Sequence, residues 1–183
     1  MRMGRLHSTG GFWILVGALL LAAPLSLMGW ALLACAIHEL GHYLAIRALG
    51  GEVEDLRLTG LGAVMVPRGI FGYREECLIA LAGPAASLAL ALLSAPVEET
   101  LAGVSLVLGL FNLLPLAPLD GGWVLRGQVC RWFGPDTGER ISAWVTRFFA
   151  LALSGAGVWV MLQGGSFTLL LFGLVFLWKG SLL

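Results

Sequence analysis

From Gly10 to Ile37 the chain carries no acidic or basic side chain. A run of that length and apolarity is what a lipid bilayer accepts, because about 20 apolar residues in a helix cross its hydrocarbon core. The rest of the chain agrees. Its 183 residues are 58% hydrophobic and 12% charged, against about 45–50% and about 25% in soluble domains. A soluble domain could not bury this much apolar surface, so the expected class is an all-α polytopic membrane protein. It is read as one domain over residues 1–183. The net charge is zero and there is no basic patch, which argues against a nucleic-acid partner. Cys35, Cys77 and Cys130 are widely spaced and odd in number. They suggest neither a disulfide framework nor a CxxC metal knuckle, and read as small packing residues.

The charge-free run leads into Ala36-Ile37-His38-Glu39-Leu40-Gly41-His42, an H-E-x-x-H pattern. Histidines four residues apart fall on one helix face, so both rings can reach one metal ion. The intervening glutamate is near enough to act on a water at that metal without being a ligand. Such patterns also arise by chance, and helical histidines are often merely exposed. Here two of the three histidines of the chain (His7 is the other) lie in the motif. Placing an ionisable side chain mid-membrane costs about 2.5–3.5 kcal/mol on insertion scales, so such residues mark function by default.

Read in order, Met1 to Gly10 is short and basic, with His7 at a frayed terminus. Residues 11 to about 23 form a first span, short enough to borrow from the N-terminal residues, and Pro24-Leu25-Ser26 turns the chain. The second span runs from about Leu27 to Leu49, carries the motif and stops at Gly50-Gly51. At about 1.5 Å per residue, His38 and His42 lie roughly 16 and 22 Å along it, past the midplane. Glu52 to Tyr73 has charges and partial alternation around Thr59-Gly60-Leu61-Gly62, and reads as a small β-hairpin between the second and third helices. The third span covers about Glu76 to Ala95, bent at Gly83-Pro84. The fourth runs from about Thr100 to Leu114. A short amphipathic helix follows around Trp123–Phe133, then a loop at Gly134-Pro135-Asp136 and spans at about Ser142–Leu162 and Phe167–Trp178, the last extending toward Leu183.

Six transmembrane helices put both termini on one side. With those termini cytoplasmic, all 11 lysines and arginines fall in cytoplasmic pieces and none in the opposite turns, as the positive-inside rule requires. The expected location is therefore integral and multi-pass in the cell membrane.

A catalytic zinc takes three protein ligands and one open position. Glu75, Glu76, Glu98 and Glu99 lie at helix ends and read as solvated charges. Asp120 differs: it follows Pro115 and Pro118 and precedes Gly121-Gly122, where irregular backbone lets it turn inward. A turn-capping aspartate is the competing reading.

Taken together, His38-Glu39-Leu40-Gly41-His42, Ala82-Gly83-Pro84 with Ser87, and Asn112 through Gly122 resemble the signature set of the site-2 protease family. The Asn-Leu-Leu-Pro and Pro-Leu-Asp-Gly-Gly wording is similar to its sporulation branch, which processes pro-sigma-K. The resemblance implies one Zn2+ per chain held by His38, His42 and Asp120, with Glu39 as catalytic base. It implies cleavage of transmembrane or membrane-proximal segments of other membrane-associated proteins. Members often add a PDZ or CBS domain, and no such domain is read in this chain. A substrate helix must unwind before cleavage. The hairpin edge around Val64, Met65 and Val66 could pair with the extended strand, and Asn112 could hold its backbone. Plain packing is the alternative for all four residues. The rival function is a non-proteolytic, metal-stabilised membrane scaffold that retains a client helix, though a structural zinc needs no base beside it. A transporter fits less well, because the first, fifth and sixth spans have almost no polar groups. Substrate identity and oligomeric state are not legible.

Overall fold

The computed structural model describes residues 5–10, 24–59 and 62–180. Among these the chain is mostly helical, with one small sheet, and its residues gather into two units. The first comprises the chain up to Phe71 together with Ala82–Phe111; the second comprises Gly72–Leu81 and the chain from Asn112 onward.

In the first unit, α1 (Leu25–Ala48) starts directly after Pro24, whose fixed φ suits a helix entrance. It ends in a Schellman turn. Gly50 takes φ +82°, its amide bonds to the Arg47 carbonyl at 3.1 Å, and the Gly51 amide reaches back to Ile46 at 2.9 Å. Only glycine adopts that φ without strain, which is why the helix stops at the glycine pair. The expected hairpin is present as β2 (Glu52–Thr59) and β3 (Gly62–Arg68), antiparallel, with an irregularity between Val53 and Asp55.

Two expectations about the N-terminal residues need correction. Arg5–Ser8 does not extend a helix; it forms β1, which lies parallel to β2 with His7 opposite Arg57. His7 is thus in a sheet and not at a frayed end. The segment is too short to advertise a strand by alternation, and parallel pairing is non-local. The expected first span, residues 11–23, lies outside the described residues.

Helix α2 (Tyr73–Ser94) runs without interruption past Pro84 and passes from the second unit into the first. The turn after Ser94 closes through the Val97 and Glu98 amides, which bond to the Ser94 carbonyl at 2.9 and 2.8 Å. Helix α3 (Glu99–Asn112) follows. A Cβ on its Gly109 would stand 3.2 Å from Ser87 and Leu88 side-chain atoms of α2.

In the second unit, α4 (Asp120–Phe133) begins three residues before the expected Trp123. Helix α5 (Pro135–Leu162) begins seven before the expected Ser142. Gly134-Pro135-Asp136 read as a loop in sequence, yet Pro135 at a first helical position and Gly134 at φ +81° set a helix start there. Gly164 (φ +80°) and Gly165 close α5 with a second Schellman turn, bonding to Met161 and Val160 at 3.0 Å each. Helix α6 (Thr168–Gly180) returns along α5. Gly157 faces Leu170 and Gly173 faces Ser154 so closely that a Cβ would come within 2.4 Å in both places. Cys77 and Cys130 are buried against Gly127 and Gly138, as packing residues should be, whereas Cys35 is exposed.

Helices α2 and α5 are long and apolar enough to cross a membrane by length and composition; α3 and α6 are apolar but shorter. Helix α1 has the length but carries His38, Glu39 and His42 in its C-terminal half.

Candidate metal centre

The two histidines stand on consecutive turns of α1 with rings edge to face and centroids 4.9 Å apart. Their Nε2 atoms are 3.2 Å from one another. Two imidazoles bound to a tetrahedral zinc at about 2.0–2.1 Å hold their nitrogens about 3.3–3.4 Å apart. The pair already has the required spacing.

What holds the rings there is a close approach between α1 and α2. A Cβ on Gly41 would meet the Ala82 carbonyl oxygen at 2.5 Å and the Ala86 Cβ at 2.9 Å. A Cβ on Gly83 would lie 2.2 Å from His42 Nε2 and 2.8 Å from His38 Nε2. The glycines let one backbone come against the other, and the α2 backbone then walls the ring nitrogens on one side. One turn beyond Gly83, fully buried Ser87 places its Oγ 2.9 Å from His38 Nδ1. With Nδ1–H donated to that hydroxyl, His38 presents an unprotonated Nε2, the tautomer a metal needs. His38 is buried; Glu39 and His42 are half-buried.

Asp120 is the first residue of α4, and Leu119, not Asp120, is the N-cap. An anionic side chain in the first turn is favoured by the amide dipoles of the helix. The helix can start there because Gly121 and Gly122 leave room for the preceding loop to fold over it. A Cβ on Gly121 would strike the Leu113 carbonyl oxygen at 2.2 Å, and one on Gly122 would lie 2.7 Å from Leu116 and Ala117 backbone. Leu116 and Leu119 are buried beside them. His38 and His42 each offer an imidazole nitrogen and Asp120 a carboxylate oxygen, the donor types that a three-ligand zinc site takes.

Farther along α4, Arg126 donates from Nε to Glu139 at 2.8 Å and from Nη1 to Glu76 at 3.4 Å, and its guanidinium lies 5.3 Å from the Trp123 ring centre. The hydrogen bond to Glu139 holds the Arg126 pKa above its usual value, against a smaller opposing effect of burial. This cluster ties α4 to the first turns of α2 and α5.

Of the residues expected to meet substrate, Asn112 is the last residue of α3 and half-buried. Val64, Met65 and Val66 are in β3, opposite Arg57, Leu56 and Asp55. Met65 and Val66 are half-buried, and β3 borders the sheet, whose order is β1-β2-β3. The role of Ser87 as the partner of His38 was not anticipated. Its four-residue spacing from Gly83 put both on one face of α2, which was the available signal.

A helix-borne pair of histidines with a glutamate between them, and an aspartate as candidate third donor, are the residue types of a metallopeptidase centre, and residues 97–154 match Peptidase family M50. That segment includes Asn112 and Asp120. The chain is 36% identical over 176 residues to Rip3 of Mycobacterium tuberculosis, which carries a zinc-metalloprotease name; the alignment covers 86% of this chain and 44% of that protein. It is 29% identical over 130 residues to the zinc metalloprotease MJ0392 of Methanocaldococcus jannaschii, covering 64% and 38%. The chain thus spans less than half the length of these relatives. Its fold is that of the site-2 protease from Methanocaldococcus jannaschii, with a TM-score of 0.75 at 23% identity over 99% of this chain and 91% of that one. The likeness to zinc metalloproteases read from the motifs is shown by these matches.

Proposed function

We propose that this chain is an intramembrane zinc metalloprotease that cuts transmembrane or membrane-proximal segments of membrane-associated proteins. The observation that carries the reading is the 3.2 Å separation of the two Nε2 atoms on a helix that also bears Glu39. His38, His42 and Asp120 would hold the metal, through two imidazole nitrogens and one carboxylate oxygen. When bound, zinc supplies a Lewis acid that polarises the scissile carbonyl and acidifies water. Glu39 takes the proton of the attacking water and returns it to the leaving amine. Ser87 keeps the His38 ring oriented. Asn112 offers a donor and an acceptor to an unwound substrate backbone. The border of β3 at Val64, Met65 and Val66 offers a strand edge to the same extended segment.

The chain sits in the membrane as six spans with both termini cytoplasmic. The apolar helices α2, α3, α5 and α6 support this arrangement, as does the one-sided distribution of basic residues.

Co-expression with candidate membrane proteins, comparing wild type with Glu39→Gln, tests the reading. A shorter product should appear with wild type only, while Glu39→Gln retains zinc in the purified protein. Equal cleavage by both forms rejects Glu39 as the base. Client retention by both forms without cleavage would favour the metal-stabilised scaffold.

A further inference from the structure

Helix α5 looks featureless in sequence, but one stripe of it is buried: Gly138, Ser142, Thr146 and Ala150 recur every four residues. Thr146 is completely buried, and its Oγ1 accepts a hydrogen bond from the Ala117 amide at 3.3 Å. Ala117 belongs to the loop that leads from α3 to Asp120. Its proline residues cannot donate, and the bonds within it are short-range: the Leu116 amide to Leu114, and the Leu119 amide to Leu116, both at 2.7 Å. The loop backbone also lies against Gly121 and Gly122 with no room for a side chain between them. A displacement at Ala117 is therefore transmitted to the first residues of α4, where Asp120 stands.

We infer that Thr146 is a positioning residue for the Asp120 carboxylate: its hydroxyl anchors the loop so that Asp120 is presented in the geometry a metal ligand needs. The inference rests on the zinc reading above. Thr146 touches neither metal nor substrate; it acts through Ala117. A hydroxyl is needed because an amide withdrawn from water must find an acceptor, and this part-buried one is outside the hydrogen-bonding pattern of any helix. Valine has the same shape without the acceptor, and serine keeps the acceptor without the methyl.

The experiment measures zinc affinity of the full chain by chelator competition, with thermal unfolding of the metal-free protein measured in parallel. Variants are Thr146→Val, Thr146→Ser and the control Ser154→Ala, which removes another hydroxyl from α5, one that donates to Ala150 of its own helix. Thr146→Val should bind zinc about tenfold more weakly, the lower end of the range for outer partners of metal ligands. Thr146→Ser should restore affinity, and Ser154→Ala should leave it unchanged. If the valine variant does not fold, Thr146→Ala replaces it. Wild-type affinity in the hydroxyl-free variant, no rescue by serine, or an equal loss in Ser154→Ala overturns the inference. His42→Ala separates the two claims. If it binds zinc as wild type does, the zinc reading falls and takes this inference with it. If it loses zinc while Thr146→Val keeps it, only the role of Thr146 is wrong.

Discussion

The histidine pair and the aspartate are held by different means. His38 and His42 are one turn apart on a continuous helix, so the helix itself fixes their separation, and α2 only has to approach closely enough to lock the rings. Asp120 opens a helix, and its placement depends on a loop folded over two glycines and tied to α5 through Thr146. Both regions use the same two devices, glycine at a backbone contact and a buried hydroxyl. In the first they adjust ligands whose spacing is already set; in the second they create the position of the ligand. Side chains added at the first region should thus act on the rings directly, and changes at the second should act by moving backbone.

The largest effect expected is from Gly83→Ala. Alanine improves helix propensity by about 1 kcal/mol, but its Cβ would overlap both ring nitrogens. Zinc affinity should fall by about 100-fold or more, on the scale of losing an oriented ligand, as read by chelator competition. Retained affinity would mean that α2 can draw back, and that the histidine region is no more rigid than the aspartate region.

Next comes Asp120→Asn, which keeps the shape but removes the anion. It should reduce zinc occupancy by about 10- to 100-fold in metal analysis, the range seen for weakened metal shells. Unchanged occupancy would show that the histidines suffice and would remove the second region from the centre. Ser87→Ala should weaken zinc binding by about tenfold, because the His38 ring is no longer held through Nδ1. Ser87→Thr is not the rescue here, since its extra methyl enters a fully buried site.

The smallest effects are surface and propensity effects. Arg126→Ala should cost about 1 kcal/mol or less in thermal unfolding, and less at high salt, because the Arg126–Glu139 pair is partly exposed. Gly103→Ala in α3, with nothing within 4 Å of its added Cβ, should be neutral or stabilise by about 0.5–1 kcal/mol. A Gly103→Ala loss as large as that of Gly83→Ala would show that helix backbone, and not ring contact, explains the glycine effect.

The hairpin, the glycine stops of α1 and α5 and the histidine face were legible because each is written in near-neighbour residues. Gly50 and Gly164 fall where a left-handed residue ends a helix, and His38 and His42 are four apart by covalent order. Helix starts were less legible. Asp120 looked like loop because prolines precede it, and Gly134-Pro135-Asp136 looked like loop although its Gly-Pro was a start signal in plain view. Strand β1 was invisible because four residues acquire strand identity only from a neighbour some fifty positions away.

The sequence by itself determined the apolar class of the chain, the histidine spacing, the glutamate between them and the candidate third ligand. Those properties follow from composition and from helix periodicity, which act over a few residues. Tertiary structure decided that Gly83 lies against the ring nitrogens, that Ser87 meets His38, and that Thr146 rather than a neighbouring hydroxyl holds the Asp120 loop. Each of these depends on how closely two distant backbones approach, a quantity set by packing across dozens of residues and recorded in no single stretch of the chain.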